Sequence, residues 1–129
     1  MMTHSKTYWA LIVLPILAFL AASYLKLTGS AMEVQAFAMF GYSMTFMYIV
    51  GVLELLGALG LLFGHLIHGQ LPRLAALGLL LLLGGILYTH ATHPPLLAGI
   101  PAVILTVLLI VFLQKTRGKI STSTNQTPE

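Results

Sequence analysis

Long apolar runs separated by short polar breaks organise this chain. Four of the runs can cross a hydrocarbon core as helices, which takes about 20 residues each. They extend from about Tyr8 to Leu27, Ser43 to Phe63, Pro72 to Thr89 and Leu96 to Leu113. Tyr8 and Trp9 open the first as an interfacial aromatic belt. Pro72 suits the first turn of the third, where a missing N–H leaves no helical bond unmade. Between the first and second runs, Ser30-x-x-Glu33 has the capping-box pattern, and Met32, Ala36, Met39 and Phe40 then fall on one helical face. That segment predicts a short helix at the outer membrane interface or folded into the mouth of the bundle, with Glu33 as a cap. The pattern as a whole predicts an all-α, membrane-embedded four-helix bundle with a short interfacial helix between spans one and two. Residues 8–113 form its single membrane domain, residues 1–7 a cytoplasmic N-terminus, and residues 114–129 a polar tail that reads as disordered.

Composition changes the solvent of this bundle from water to lipid. Of 129 residues, 58% are hydrophobic and 7% charged, with a mean hydropathy of +0.97. A soluble domain carries about 25% charged residues, enough to cover its surface with solvated groups. This chain cannot do that, so its outer faces must meet acyl chains. It has no cysteine, which excludes disulfides, thiolate metal sites and dithiol redox chemistry. It also lacks the basic face or stripe that a nucleic-acid partner requires. Lys6 followed by an apolar run has the outline of a signal peptide. The run is too long for one, contains Pro15, and ends in "FLAASYLK" without a small-residue cleavage site, so it reads as a retained span.

Charge orients the bundle. Lys6, Arg73, Lys115, Arg117 and Lys119 fall on the side of the termini, and Lys26 falls on the other. By the positive-inside rule both termini are expected in the cytoplasm, in a bacterial cytoplasmic membrane. His65 and His68 then lie near the cytoplasmic surface without a third ligand, and no metal is expected.

Polar groups collect in the outer half. Glu54 sits in "VGVLELLGALGLL", eleven residues into the second span and so about 16 Å deep. Val50, Gly51, Gly57 and Ala58 share its face, and Gly60-xxx-Gly64 follows on an adjacent stripe. Small residues let membrane helices approach closely, so Glu54 is expected to point into the bundle. An unrelieved charge there costs about 2.5–3.5 kcal/mol on insertion scales. Protonation relieves that cost, and so does pairing with Lys26 or His90. An axial offset of about 15 Å argues against direct contact. A tilted span, a re-entrant interfacial helix or waters bridged by Tyr24, Tyr48 and Tyr88 would close the gap, and the bridged version is preferred. Thr45, Thr89, Thr92 and His93 add polar atoms to the same half, and Met32, Met39, Met44 and Met47 gather near its mouth.

Each group has a structural reading beside a functional one. Glu54 serves either as interhelical glue or as a working carboxyl. Lys26 either snorkels to the interface or faces a pocket. His90 and His93 either flank a helix end or offer two imidazoles to a site. Gly78, Gly84 and Gly85 read as helix-packing notches. In the functional reading, Glu54 and His90 are the candidate catalytic residues, and Lys26, Tyr24, Tyr48, Tyr88 and His93 line the substrate pocket. No phosphate loop, dinucleotide fingerprint or nucleophile–base pair occurs.

Three stretches carry a family resemblance: "LAFLAASYLKLTGS", "GVLELLGALGLL" and "GILYTHAT". The order and spacing of Lys26-Leu27, Gly51-x-x-Glu54-x-x-Gly57 and Thr89-His90 resemble the DoxX-like family of small four-helix membrane proteins, over about residues 8 to 113. The resemblance implies a four-helix bundle in which Lys26, Glu54 and His90 occupy recurrent polar positions. Relatives include a membrane subunit of a thiosulfate–quinone oxidoreductase, members of oxidative-stress complexes and receptor-assembly chaperones. A redox role in a chain without cysteine would need a bound quinone or a partner subunit. Two functions stay open: a quinone- or small-molecule-binding redox-associated membrane subunit, and a non-enzymatic assembly factor or accessory subunit that binds partner helices.

Overall fold

A computed structural model describes residues 6–92 and 99–125, with side chains as far as Thr116. The helices are α1 (Lys6–Leu27), α2 (Ala31–Met39), α3 (Met44–Phe63), α4 (Leu71–Thr92) and α5 (Ile100–Asn125), with a 3-10 turn at Gly64–Leu66. Three of them, α1, α3 and α4, are long and apolar enough to cross a bilayer, and α5 carries a shorter apolar stretch at Ile100–Thr116. The chain is thus a membrane four-helix bundle with a fifth, short helix, α2, packed across one end against α3 and α1. The expected start of the fourth span, at Leu96, lies outside the described residues. The α5 helix continues past Leu113 to Asn125.

The long helices form a closed ring in the order α1, α3, α4, α5, each antiparallel to the next. Cross-contacts fix that arrangement. Tyr8 at the start of α1 meets Phe112 late in α5, with ring centroids 5.1 Å apart. Arg73 at the start of α4 donates to Leu113 O and Thr116 Oγ1, both at 2.7 Å. Helical periodicity decides what lies inside. Tyr8, Ile12, Ile16 and Phe19 recur at intervals of three and four on α1 and pack against Ala58 and Leu61, Ala76, Leu79 and Leu83, and Leu109 and Phe112. Tyr8 is therefore a core residue and not half of an interfacial belt; Trp9 stands edge-on to His65 at 5.3 Å.

Glycines set the α3–α4 spacing. A Cβ on Gly60 would lie 2.7 Å from the Ala75 Cβ, and one on Gly57 would collide with a Leu79 methyl. The helices approach this closely because those positions have no side chain. The glycines of α4 behave differently from the expectation of packing notches. Gly78, Gly84 and Gly85 have no neighbouring atom within 4 Å of a built Cβ, because α4 meets α3 through Ala75, Ala76 and Leu79 instead.

Two left-handed glycines carry the chain through α2. Gly29 (φ +69°) ends α1 in a Schellman turn, with Gly29 N–H donating to Lys26 O at 3.1 Å and Ser30 N–H to Leu25 O at 3.0 Å. Gly41 (φ +82°) ends α2 in the same way, with Gly41 N–H donating to Ala38 O at 3.0 Å and Tyr42 N–H to Phe37 O at 2.8 Å. Ser43 then caps α3 by accepting from Phe46 N–H at 3.1 Å. The first turn also overturns the expected capping box. A capping box needs the Ser30 N–H free for Glu33, and here Leu25 O has taken it. The Ser30 side chain makes no capping bond, and Glu33 is released for another partner.

The glycine packing yields a test. Gly60→Leu should force α3 from α4 and lower stability by about 1–3 kcal/mol, the usual cost of overpacking. Gly78→Ala should be neutral or slightly stabilising, because it fills open space and favours helix. Thermal unfolding in detergent checks both.

Candidate functional site

The site begins with a close approach between α1 and α3. Gly51 packs so tightly on α1 that a Cβ there would lie 3.0 Å from the Lys26 Cβ and 3.2 Å from the Leu27 side chain. That contact sets Lys26 level with Gly51, only three residues, or about 4.5 Å, from the level of Glu54. The expected 15 Å offset assumed that α1 and α3 end at the same height. They do not: α3 rises about two turns beyond the end of α1, and α2 fills the step. Lys26 Nζ consequently lies 3.2 Å from Glu54 Oε1, a direct ion pair needing no bridge. Glu54 is 1% exposed and Lys26 is 7% exposed, so the lysine is buried and does not snorkel to the interface.

A second carboxylate completes the cluster. Glu33, on the first turn of α2, lies 3.3 Å from the same Nζ. The Phe37 ring lies 5.8 Å from the ammonium, near enough for a cation–π contribution. An ammonium has three N–H donors, so Lys26 can face both carboxylates and still offer an N–H to a third group. The Glu54 contact is close in distance but does not meet hydrogen-bond geometry at Oε1. It is a charge pair more than a directed bond. With both carboxylates ionised the cluster carries one net negative charge, and one added proton neutralises it.

Lys26 faces a cavity of about 450 Å³ between α2, α3 and α4. Ala36, Phe37 and Met39 of α2, with Phe40 just after it, form one wall. Phe46 and Val50 of α3 and Leu82, Gly85, Ile86, Thr89 and His90 of α4 form the other. The apolar side of α2 is therefore centred on Ala36, Phe37 and Phe40, whereas Met32 turns outward. Glu54 stands behind the lysine and does not line the cavity. The His90 ring meets Phe40 edge-on at 5.6 Å, and its Nδ1 is buried without a hydrogen-bond partner among the described residues. Thr89 Oγ1 donates to Gly85 O at 2.9 Å, and its single proton is then committed. Tyr42 O–H must therefore donate to Thr89 Oγ1, across their 2.9 Å contact.

The structure sorts the sequence candidates by position. Lys26 and His90 line the cavity, and Glu54 holds Lys26 from behind. Tyr24 and Tyr88 are 67% and 66% exposed, on outward faces, and neither lines the cavity. The Tyr48 hydroxyl lies beside Gly29, where a built Cβ would come within 3.3 Å. His93 lies outside the described residues. At the opposite end of the bundle, His68 Nδ1 accepts from Gln70 N–H at 3.0 Å, just before α4. Sequence reasoning passed over Tyr42, Phe37 and Phe46 and gave Glu33 a capping role. The one readable signal was "FGYS", where a glycine two residues before a helix cap turns Tyr42 back toward Phe37.

Breaking the buried pair on one side should be costly. Lys26→Met leaves a carboxylate enclosed without its cation, and about 3–5 kcal/mol of stability should be lost. Lys26→Met combined with Glu54→Leu should recover most of that loss, because an apolar pair fills the space. A double-mutant cycle on detergent unfolding measures the difference.

No curated protein and no solved structure matches this chain. Residues 10–113 match the DoxX-like family, which takes in all of α3 and α4 and all but the start of α1 and the end of α5. The match covers Lys26, Glu33, Glu54 and His90, and the protein is a member of the DoxX-like family.

Proposed function

We propose that this chain is a redox-associated membrane subunit that binds a small apolar molecule of quinone type in the cavity beneath α2. The observation that carries the reading is Lys26. It is a buried ammonium, held by two carboxylates, on the wall of a cavity lined mainly by aromatic and aliphatic side chains, with Glu33, Tyr42, Thr89 and His90 as its other polar groups. A volume of about 450 Å³ lies within the usual range for small-molecule sites, which combine apolar walls with a few placed polar groups. A planar ring fits between Phe37, Phe40 and Phe46, and a carbonyl oxygen accepts from the remaining Lys26 N–H. His90 offers a second polar contact on the opposite wall.

Roles then differ from the simplest assignment. Lys26 addresses the ligand, and Glu54 fixes the lysine and supplies the proton-binding group behind it. Reduction of a quinone consumes two electrons and two protons. The electron pair comes from a partner subunit carrying a redox centre, and the Lys26–Glu54 pair passes one proton to the nascent oxyanion. Water at the mouth of the cavity supplies the second proton to the other oxygen and restores the first. Orientation follows the positive-inside reading, with the cavity in the outer half of a bacterial cytoplasmic membrane and both termini in the cytoplasm.

Binding of a short-tailed quinone to the purified protein, read by calorimetry, tests this directly. His90→Ala and Phe37→Ala should each weaken binding about tenfold while the protein stays folded, comparable to losing one polar or aromatic contact. Equal affinity in all three proteins would remove the quinone reading. A fluorescent reporter fused after Glu129 should be active only if that end is cytoplasmic, which checks the orientation.

The accessory-subunit reading has one observation of its own. Gly78 and Gly84 open outward on α4 with nothing packed on them, leaving room for the close approach of another helix. Gly78→Leu should then abolish association with a partner in mild detergent without changing the thermal stability of the isolated chain.

A further inference from the structure

The α2 helix is attached to the bundle differently from every other helix. It buries none of its own residues, although it forms a whole wall of the cavity. It is bounded at both ends by a left-handed glycine, Gly29 at φ +69° and Gly41 at φ +82°. These are positions where a backbone can rotate through regions closed to other residues. Nothing lies within 4 Å of a Cβ built on Gly41, so that turn borders open space and is held by its own two backbone hydrogen bonds and by Tyr42. The charged link between α2 and the body of the bundle is the 3.3 Å contact of Glu33 with Lys26, and the Glu33 side chain is 19% exposed.

We propose that α2 is a lid over the cavity, hinged at Gly29 and Gly41, and that Glu33 is the latch holding it shut through Lys26. A ligand dissolved in the bilayer enters sideways as α2 swings out and carries Phe37 and Phe40 away from α3 and α4. The Lys26–Glu54 pair survives this movement, because both residues belong to the ring of long helices. Opening therefore exposes a lysine that is still neutralised from behind. A ligand oxygen that accepts from Lys26 replaces part of what Glu33 supplied, so entry and unlatching are coupled. The passing ligand is the one proposed above, but the lid can be tested with the cavity empty.

The chain has no cysteine, so a single introduced one reports without background. Val50 is 8% exposed and lines the cavity, and a membrane-permeant maleimide should label Val50→Cys slowly, at the rate the lid opens. Adding Glu33→Gln should raise that rate about two- to fivefold, the range expected for releasing a partly exposed ion pair. Leu109→Cys serves as a control, because Leu109 is 0% exposed in the α5 core and outside the cavity wall. Its labelling should be unchanged by Glu33→Gln. An unchanged rate at Val50→Cys, or an equal rise at both positions, would overturn the lid. Since no ligand is added, failure of the quinone reading would leave this result untouched.

Discussion

The site depends on one constraint: a lysine ammonium has to be held inside a lipid-facing bundle. Lys26 is only 7% exposed, because Gly51 draws α1 against α3 at that level and α2 lies across it. Its charge must then be met by protein groups. Glu54 meets it from the core, and Glu33 meets it from α2. Remove the core carboxylate, and the buried ammonium keeps only the partly exposed Glu33. Remove the lysine, and Glu54 is left as a buried carboxylate without its cation, which apolar surroundings penalise heavily. The bundle could hold together on its Ile, Leu and Phe core without this cluster. It could not place a polar group at the bottom of an apolar cavity without it.

The same constraint explains the shape of the bundle's α2 end. Because α1 stops level with Gly51, the first two turns of α3 stand without an α1 neighbour. The chain fills the step with α2, and two consecutive Schellman turns make the reversal compact. The turns also direct chemistry. The first takes up the Ser30 N–H and so frees Glu33 for Lys26, and the second brings Tyr42 to Thr89. A small cavity is the result, walled by aromatic and aliphatic side chains with Lys26, Glu33, Thr89 and His90 among them.

Polarity is also divided between the two ends of the bundle. The α2 end holds the charge cluster, His90 and the Tyr42–Thr89 contact. The other end uses polar groups to tie helices together, as Arg73 does on Leu113 O and Thr116. The charge cluster and the Arg73 tie are thus separated along the bundle axis, by Ile, Leu, Phe and Ala in between.

The sequence by itself determined a great deal here. Run lengths gave the four long helices, the hydropathy gave lipid as solvent, and the small residues beside Glu54 gave its inward direction. All of these follow from local composition and helical period, which need no knowledge of neighbours. Tertiary structure alone decided which polar groups meet. Glu54 and Lys26 looked too far apart because their depths were counted from helix ends assumed to be level, and the stagger between α1 and α3 is a packing property. Glu33 looked like a cap because Ser30-x-x-Glu33 spells one, and only the turn before it shows that the required N–H is already bonded. Tyr24 and Tyr88 looked like pocket residues from their depth, but depth does not specify the face of a helix. Periodicity states which residues share a face, and only the packed bundle settles what that face meets.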